Sequence, residues 1–125
     1  TFAARAGSFP DYLEFVLDQA SRHDWSTREA CDAWSSGAYL LETVPSVLWI
    51  LARHAHDPEE AIVRAVNDTH DNDTIATLVG AAVGALHGKE ALPVAWQQGL
   101  LGRTTADDNG RVFRLIEEAV RRDWP

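Results

Sequence analysis

The chain predicts an all-α fold, and three observations predict it. Apolar residues recur at helical spacing through most of its length, no stretch alternates apolar and polar residues between hairpin turns, and helix-start signals punctuate the sequence. At 125 residues, with 46% hydrophobic and 24% charged, it has enough apolar material for one folded core and too much for disorder. Five or six helices are expected, forming a single unit over residues 1–125.

The first helix runs from about Pro10 to His23, with Tyr12, Phe15, Val16 and Ala20 on one face and Pro10 in its opening turn. Ser26-Thr27-Arg28-Glu29 has the form of a capping box, starting a second helix that reaches about Ser36. Gly37 breaks the pattern. Ala38 to His54 then reads as a largely buried helix in which Pro45 either makes a kink or marks the true first turn. Asp57-Pro58-Glu59-Glu60 supplies an N-cap, a first-turn proline and acidic residues that complement the helix dipole, so a helix follows to about Asn67.

Asp73 is the expected cap of the next helix, Thr74 to His87. Gly80, Gly84 and Gly88 recur there every fourth residue beside Ala81 and Ala85, a small-residue face suited to close packing by another helix. Leu92-Pro93 opens a short helix containing Trp96, 102–110 is a polar loop, and Val112, Leu115, Ile116 and Ala119 mark a final amphipathic helix. Trp34, Trp49 and Trp96 are expected in the core, as is Cys31, inside a helix where an inert thiol is commoner than a nucleophile.

The formal charge of −8, with no basic stripe, argues against nucleic acid and anionic membrane as partners. An anionic ligand would need its charge met by cations or backbone amides. One cysteine allows no internal disulfide, which fits a reducing, cytoplasmic compartment, and no apolar run reaches the ~20 residues of a membrane span. The start at Thr1, without an initiator Met or signal-peptide layout, leads to the expectation that the chain begins inside a longer product.

Chemistry concentrates in Ala65-Val66-Asn67-Asp68-Thr69-His70-Asp71-Asn72-Asp73-Thr74. Asp71, Asp73 and Thr74 put two carboxylates and a hydroxyl within four residues at a helix start, the hard oxygen donors that Mg²⁺ prefers. The bland alternative is that the aspartates cap a helix and form an Asx turn. Two considerations favour the metal: crowded carboxylates repel without a cation, and the apolar helix that follows puts them at the edge of a core. An EF-hand loop fails, because it needs an oxygen ligand at Ile75 and glycine at Ala76. His54 and His56, two apart, do not share a helix face and do not make a zinc pair.

This run resembles the signature of the ADP-ribosylglycohydrolase family, Ala-Val-Asn-x-Gly-Gly-Asp-Thr-Asp-Thr-Ile-Ala, followed by glycines at every fourth position and an Ile-Pro-x-x-Trp block; the similarity spans Ala65 to Trp96. A second block, Ala38-Tyr39-Leu40-Leu41-Glu42-Thr43 with Leu48-Trp49 beyond, is similar to the family's Gly-Tyr-Val-x-x-Thr…Leu-Trp segment upstream of the signature. The resemblance implies a compact all-α orthogonal bundle, incomplete in this chain. It further implies two Mg²⁺ (or Mn²⁺) ions and cleavage of the bond between ADP-ribose and an acceptor that the sequence leaves open, with an ADP-ribosylated substrate or an ADP-ribose-like small molecule as partner. By position it makes Asp71, Asp73 and Thr74 metal ligands and gives Tyr39 a place in the substrate cleft.

The family's two glycines are Thr69 and His70 here, and its intervening Thr is Asn72. Bulk at those positions reshapes the pocket, and His70 becomes a candidate substrate contact. The family's N-terminal Thr/Ser-Asp-Asp motif has no counterpart before Asp71, and Asp107-Asp108 lies on the wrong side. The expectation is therefore a C-terminal portion of a larger single-domain enzyme, inactive by itself, whose N-terminal part supplies the remaining ligands and the catalytic carboxylate. Asp71 and Asp73 would ligate only, since nearby positive charge makes them poor acids. Two rivals stand beside this reading. One is a catalytically incompetent structural or ligand-binding homologue. The other is a His-Asp metal phosphohydrolase, suggested by His23-Asp24, His56-Asp57 and His70-Asp71.

Overall fold

A computed structural model describes residues 8–101 and 111–123. The expected loop at 102–110, Asp107-Asp108 within it, and the N-terminal segment 1–7 lie outside the described residues. Every regular element among the described residues is helical: α1 (Phe9–Arg22), α2 (Thr27–Ala33), α3 (Leu40–His54), α4 (Pro58–Asn67), α5 (Asn72–His87), α6 (Val94–Leu101) and α7 (Arg111–Asp123), with a 3₁₀ turn at Lys89–Ala91. The fold is all-α, with seven α-helices among the described residues where five or six were expected.

Local chemistry sets most boundaries. Ser8 caps α1 by accepting from the Asp11 amide, with proline in the first turn. Both bonds of the Ser26–Glu29 capping box form, and Asp57 accepts from the Glu60 amide in front of Pro58. α2 ends at Ala33 rather than near Ser36, because Ser35 (φ 77°) and Ser36 (φ 27°) turn the chain through the left-handed region. α3 begins at Leu40 and not Ala38, and Pro45 sits inside it, removing the bond to the Leu41 carbonyl.

The chain divides into two compact units, Thr1–Ala91 and Leu92–Pro125. In the first, α3 lies between two hydrophobic clusters. Its Trp49 joins Tyr12, Val16 and Ala20 of α1, Ala30 and Cys31 of α2, and Trp34; its neighbour Ile50 joins Ala61 and Ala65 of α4 and Ile75, Val79 and Val83 of α5. Successive helical residues point about 100° apart, so two adjacent side chains can serve two cores. In the second unit, α7 presents Val112, Leu115, Ile116 and Val120 exposed, and Trp96 of α6, expected in the core, is 38% exposed.

The small-residue face of α5 also departs from expectation. The buried side of α5 is Ile75, Val79 and Val83. A Cβ on Gly80 would touch the end of Ile62 of α4 at 3.8 Å, whereas one on Gly84 would meet nothing within 4 Å, so among the described residues α4 reaches this face at Gly80 and no helix reaches it at Gly84. Gly88 ends α5 at φ 80°, a conformation glycine adopts without steric cost.

Cys31 is fully buried, and burial pushes its thiol up to about 11. Folding thus favours the protonated thiol. The stability this contributes is complete below the unfolded value of 9.0 and is lost as the pH rises toward about 11; two units correspond to roughly 3 kcal/mol. The wild type is therefore expected to lose more stability between pH 8 and pH 11 than Cys31→Ala in matched urea melts. Its thiol should also resist a disulfide reagent until the chain unfolds, and rapid labelling of the native protein would contradict this.

Candidate metal centre

The segment between α4 and α5 carries Asp71 and Asp73, and tertiary contacts hold it residue by residue. The Asn67 carbonyl accepts from the Arg28 guanidinium. Asp68, with its side chain only 8% exposed, lies 3.3 Å from both Arg28 Nη2 and Arg64 Nη1, while Arg64 Nε bonds Glu60 at 2.7 Å. Thr69 donates its hydroxyl to the Ala65 carbonyl at 2.6 Å. The His70 amide donates to the Ser36 hydroxyl at 3.1 Å and the Asp71 amide to the Ser36 carbonyl at 3.0 Å.

Those contacts explain a shifted helix start. With its amide committed to Ser36, Asp71 becomes the N-cap residue (φ −90°, ψ 63°) and α5 begins at Asn72. Asp73, expected as the cap, instead lies within the first turn. Its carboxylate accepts from the Thr74 amide at 2.9 Å, and its carbonyl accepts from the Thr77 hydroxyl at 2.7 Å. The Asp71 side chain makes no capping bond, and its Oδ2 is buried without a hydrogen-bond partner. A buried, unpartnered carboxylate oxygen is costly unless something compensates it.

Asp73 is exposed. The Thr74 amide, and after it the neighbouring Asp71 carboxyl, hold the Asp73 carboxyl below its ordinary range. Asp73, Thr74, Thr77 and Leu78 line an open depression of about 300 Å³. Orphaned Asp71 Oδ2 beside a carboxylate biased toward its charged form fits a hard divalent cation. It is a partial set: among the described residues no three His, Cys, Asp or Glu side chains gather as a metal ion requires.

The other candidate residues lie on the α2–α3 turn or face it. Tyr39 is the N-cap residue of α3, its carbonyl accepting from the amides of Glu42 and Thr43 at 2.8 Å, and its ring is 78% exposed. His70 turns its ring toward the turn, Nδ1 lying 3.1 Å from the Ser35 carbonyl and Nε2 3.5 Å from Asp32 Oδ1. Of the other His-Asp pairs, His23 stacks on Trp25 and Asp57 caps α4. His54, outside those pairs, bonds the Thr27 hydroxyl at 2.9 Å. Sequence reasoning missed Ser36: nothing in its local pattern marks a residue that will meet His70 and Asp71.

A family model described as ADP-ribosylglycohydrolase matches residues 2–123. Human ADP-ribosylhydrolase ARH3 is 31% identical over 103 residues, covering 74% of this chain and 27% of that protein. The bovine ADP-ribosylhydrolase ARH3 is 32% identical over 102 residues, 73% of this chain and 28% of that protein. ADP-ribosylarginine hydrolase Tri1 of Pseudomonas putida is 33% identical over 67 residues, 52% of this chain and 17% of that protein. The chain thus spans about a quarter of the length of the first of these relatives. No solved structure matches it significantly. No helix among the described residues is long and apolar enough to cross a membrane.

Proposed function

The chain belongs to the ADP-ribosylglycohydrolase family, and from that premise we propose that it takes part in hydrolysing the bond between ADP-ribose and an acceptor. In this reading Asp71, Asp73 and Thr74 supply one side of a site for two Mg²⁺ or Mn²⁺ ions. The observation that supports it most directly is Asp71 Oδ2, buried and unpartnered, two residues before Asp73 in a run whose Asp73 and Thr74 line an open depression.

The residues divide the work by their electrostatics. Asp73, kept anionic by the Thr74 amide, accepts rather than donates and is a ligand, not a general acid. Asp71 is fixed in place by its backbone, so its carboxylate is preorganised before any ion arrives. The exposed Tyr39 ring, on the turn that anchors Asp71, offers a stacking face for a base or ribose. A bound divalent pair would supply charge neutralisation for a pyrophosphate that a chain of net charge −8 would otherwise repel, and would help position the ribose hydroxyls and the water that attacks the anomeric carbon. The remaining ligands and the proton-transferring carboxylate belong to residues outside 1–125. A lone, buried Cys31 is compatible with a reducing cytoplasm as the setting.

Removal of metal tests the reading. In the intact protein, EDTA is expected to stop release of free ADP-ribose from ADP-ribosylated arginine and serine peptides, and Mg²⁺ or Mn²⁺, but not K⁺, to restore it. Turnover that survives chelation contradicts the metal assignment. An intact protein that binds the ions but cleaves neither peptide is a ligand-binding homologue.

A further inference from the structure

We infer that Ser36 is the positioning residue of the candidate metal centre; the inference rests on the metal reading of Asp71. Its hydroxyl accepts from the His70 amide and its carbonyl from the Asp71 amide, so one residue fixes two consecutive peptide planes immediately before α5. These are contacts between segments 34 residues apart, and they join the α2–α3 turn to the α5 cap.

Two further features point to the same role. Ser36 is fully buried, and it holds a left-handed φ of 27° without being glycine. A non-glycine residue with positive φ carries a steric cost and persists where the surroundings over-determine it. Glycine would satisfy that backbone without strain, yet would leave the His70 amide without its acceptor. Serine is the smallest residue that supplies both a hydroxyl and a compact fit in a closed space. Moreover, Asp71 has no side-chain capping bond of its own, so the direction of its carboxylate depends on the backbone that Ser36 fixes. Groups that orient a ligand from behind usually change metal affinity by roughly 10- to 100-fold when removed.

The test compares Ser36→Gly, Ser36→Ala and Ser46→Ala in the intact protein. Ser46 is also fully buried, and its hydroxyl accepts from the Trp34 indole, so it controls for loss of a structural hydroxyl. Mn²⁺ titration followed by electron paramagnetic resonance reads affinity, and hydrogen exchange in the metal-free protein reads the His70 and Asp71 amides. Ser36→Gly relieves the left-handed turn and keeps the carbonyl that holds the Asp71 amide; it is expected to lose roughly tenfold or more in Mn²⁺ affinity and to speed exchange chiefly at the His70 amide. Ser36→Ala should behave alike, and Ser46→Ala should leave both readouts unchanged. Unchanged affinity and protection in Ser36→Gly, in a protein whose wild type binds Mn²⁺, overturns the role of Ser36 alone. A wild type that binds no Mn²⁺ overturns the metal reading, and this role with it.

Discussion

Asp73→Ala is expected to lower kcat/KM for ADP-ribosyl hydrolysis by roughly 10²- to 10³-fold while leaving the melting temperature nearly unchanged. Asp73 is exposed, and its side chain contributes one local bond to the Thr74 amide. Substitutions of that kind usually change stability by about 0.5 kcal/mol or less. In the function proposed above Asp73 would also hold a catalytic ion, whose contribution to the barrier amounts to several kcal/mol, and each ~1.4 kcal/mol is tenfold in rate. Steady-state turnover of an ADP-ribosylated peptide, beside a thermal melt of the same preparation, separates the two. Retained turnover would show that the Asp71–Asp73 pair merely shapes a helix start.

Ile75→Ala should act in the opposite order, on the fold first. Ile75 of α5 is fully buried against α3 and α4, among Ile50, Ala61, Ala65, Val79 and Val83. Truncating such a side chain removes its transfer free energy and leaves a cavity, a loss of roughly 3–4 kcal/mol. For a domain of this size that is on the order of 15 °C in melting temperature. Ile75→Val, losing one methylene, should cost about 1 kcal/mol. A Val variant as unstable as the Ala variant would mean that shape, and not volume, governs this cluster. Because Ile75 follows Thr74 directly, the Ala variant is also expected to bind divalent ions more weakly even where it remains folded.

Much of this architecture is readable from short-range chemistry. Ser26 with Glu29, and Asp57 with Pro58 and Glu60, announce helix starts because the partners lie within one turn. Burial of Cys31 follows from its place on an amphipathic face. The start of α5 was legible only to within two residues, since the Ser36–Asp71 bond that moves it comes from a distant segment. The same limit hid the left-handed Ser35–Ser36 turn, where no glycine flags the conformation. Glycines at every fourth position showed that α5 could accept a close neighbour. They did not show that one is present, and Gly84 meets none. Trp96 misled in a similar way, because size and apolarity measure the gain from burial and not whether a partner surface exists.

At the candidate site, Asp71, Asp73 and Thr74 were visible as oxygen donors in one run, whereas the division between a buried and an exposed carboxylate was not. That division depends on backbone direction at the α5 cap, which three other segments determine.

The tethering of residues 67–71 to α2, α4 and the α2–α3 turn also determines how this protein can diversify. A loop immobilised during folding gives up its conformational freedom before any ligand arrives, so association carries little additional ordering entropy on this side. Such a loop is equally unable to remodel itself around a differently shaped acceptor. In the function proposed above, new leaving groups would therefore have to be met by side chains outside 67–71, with that segment acting as a fixed reference frame.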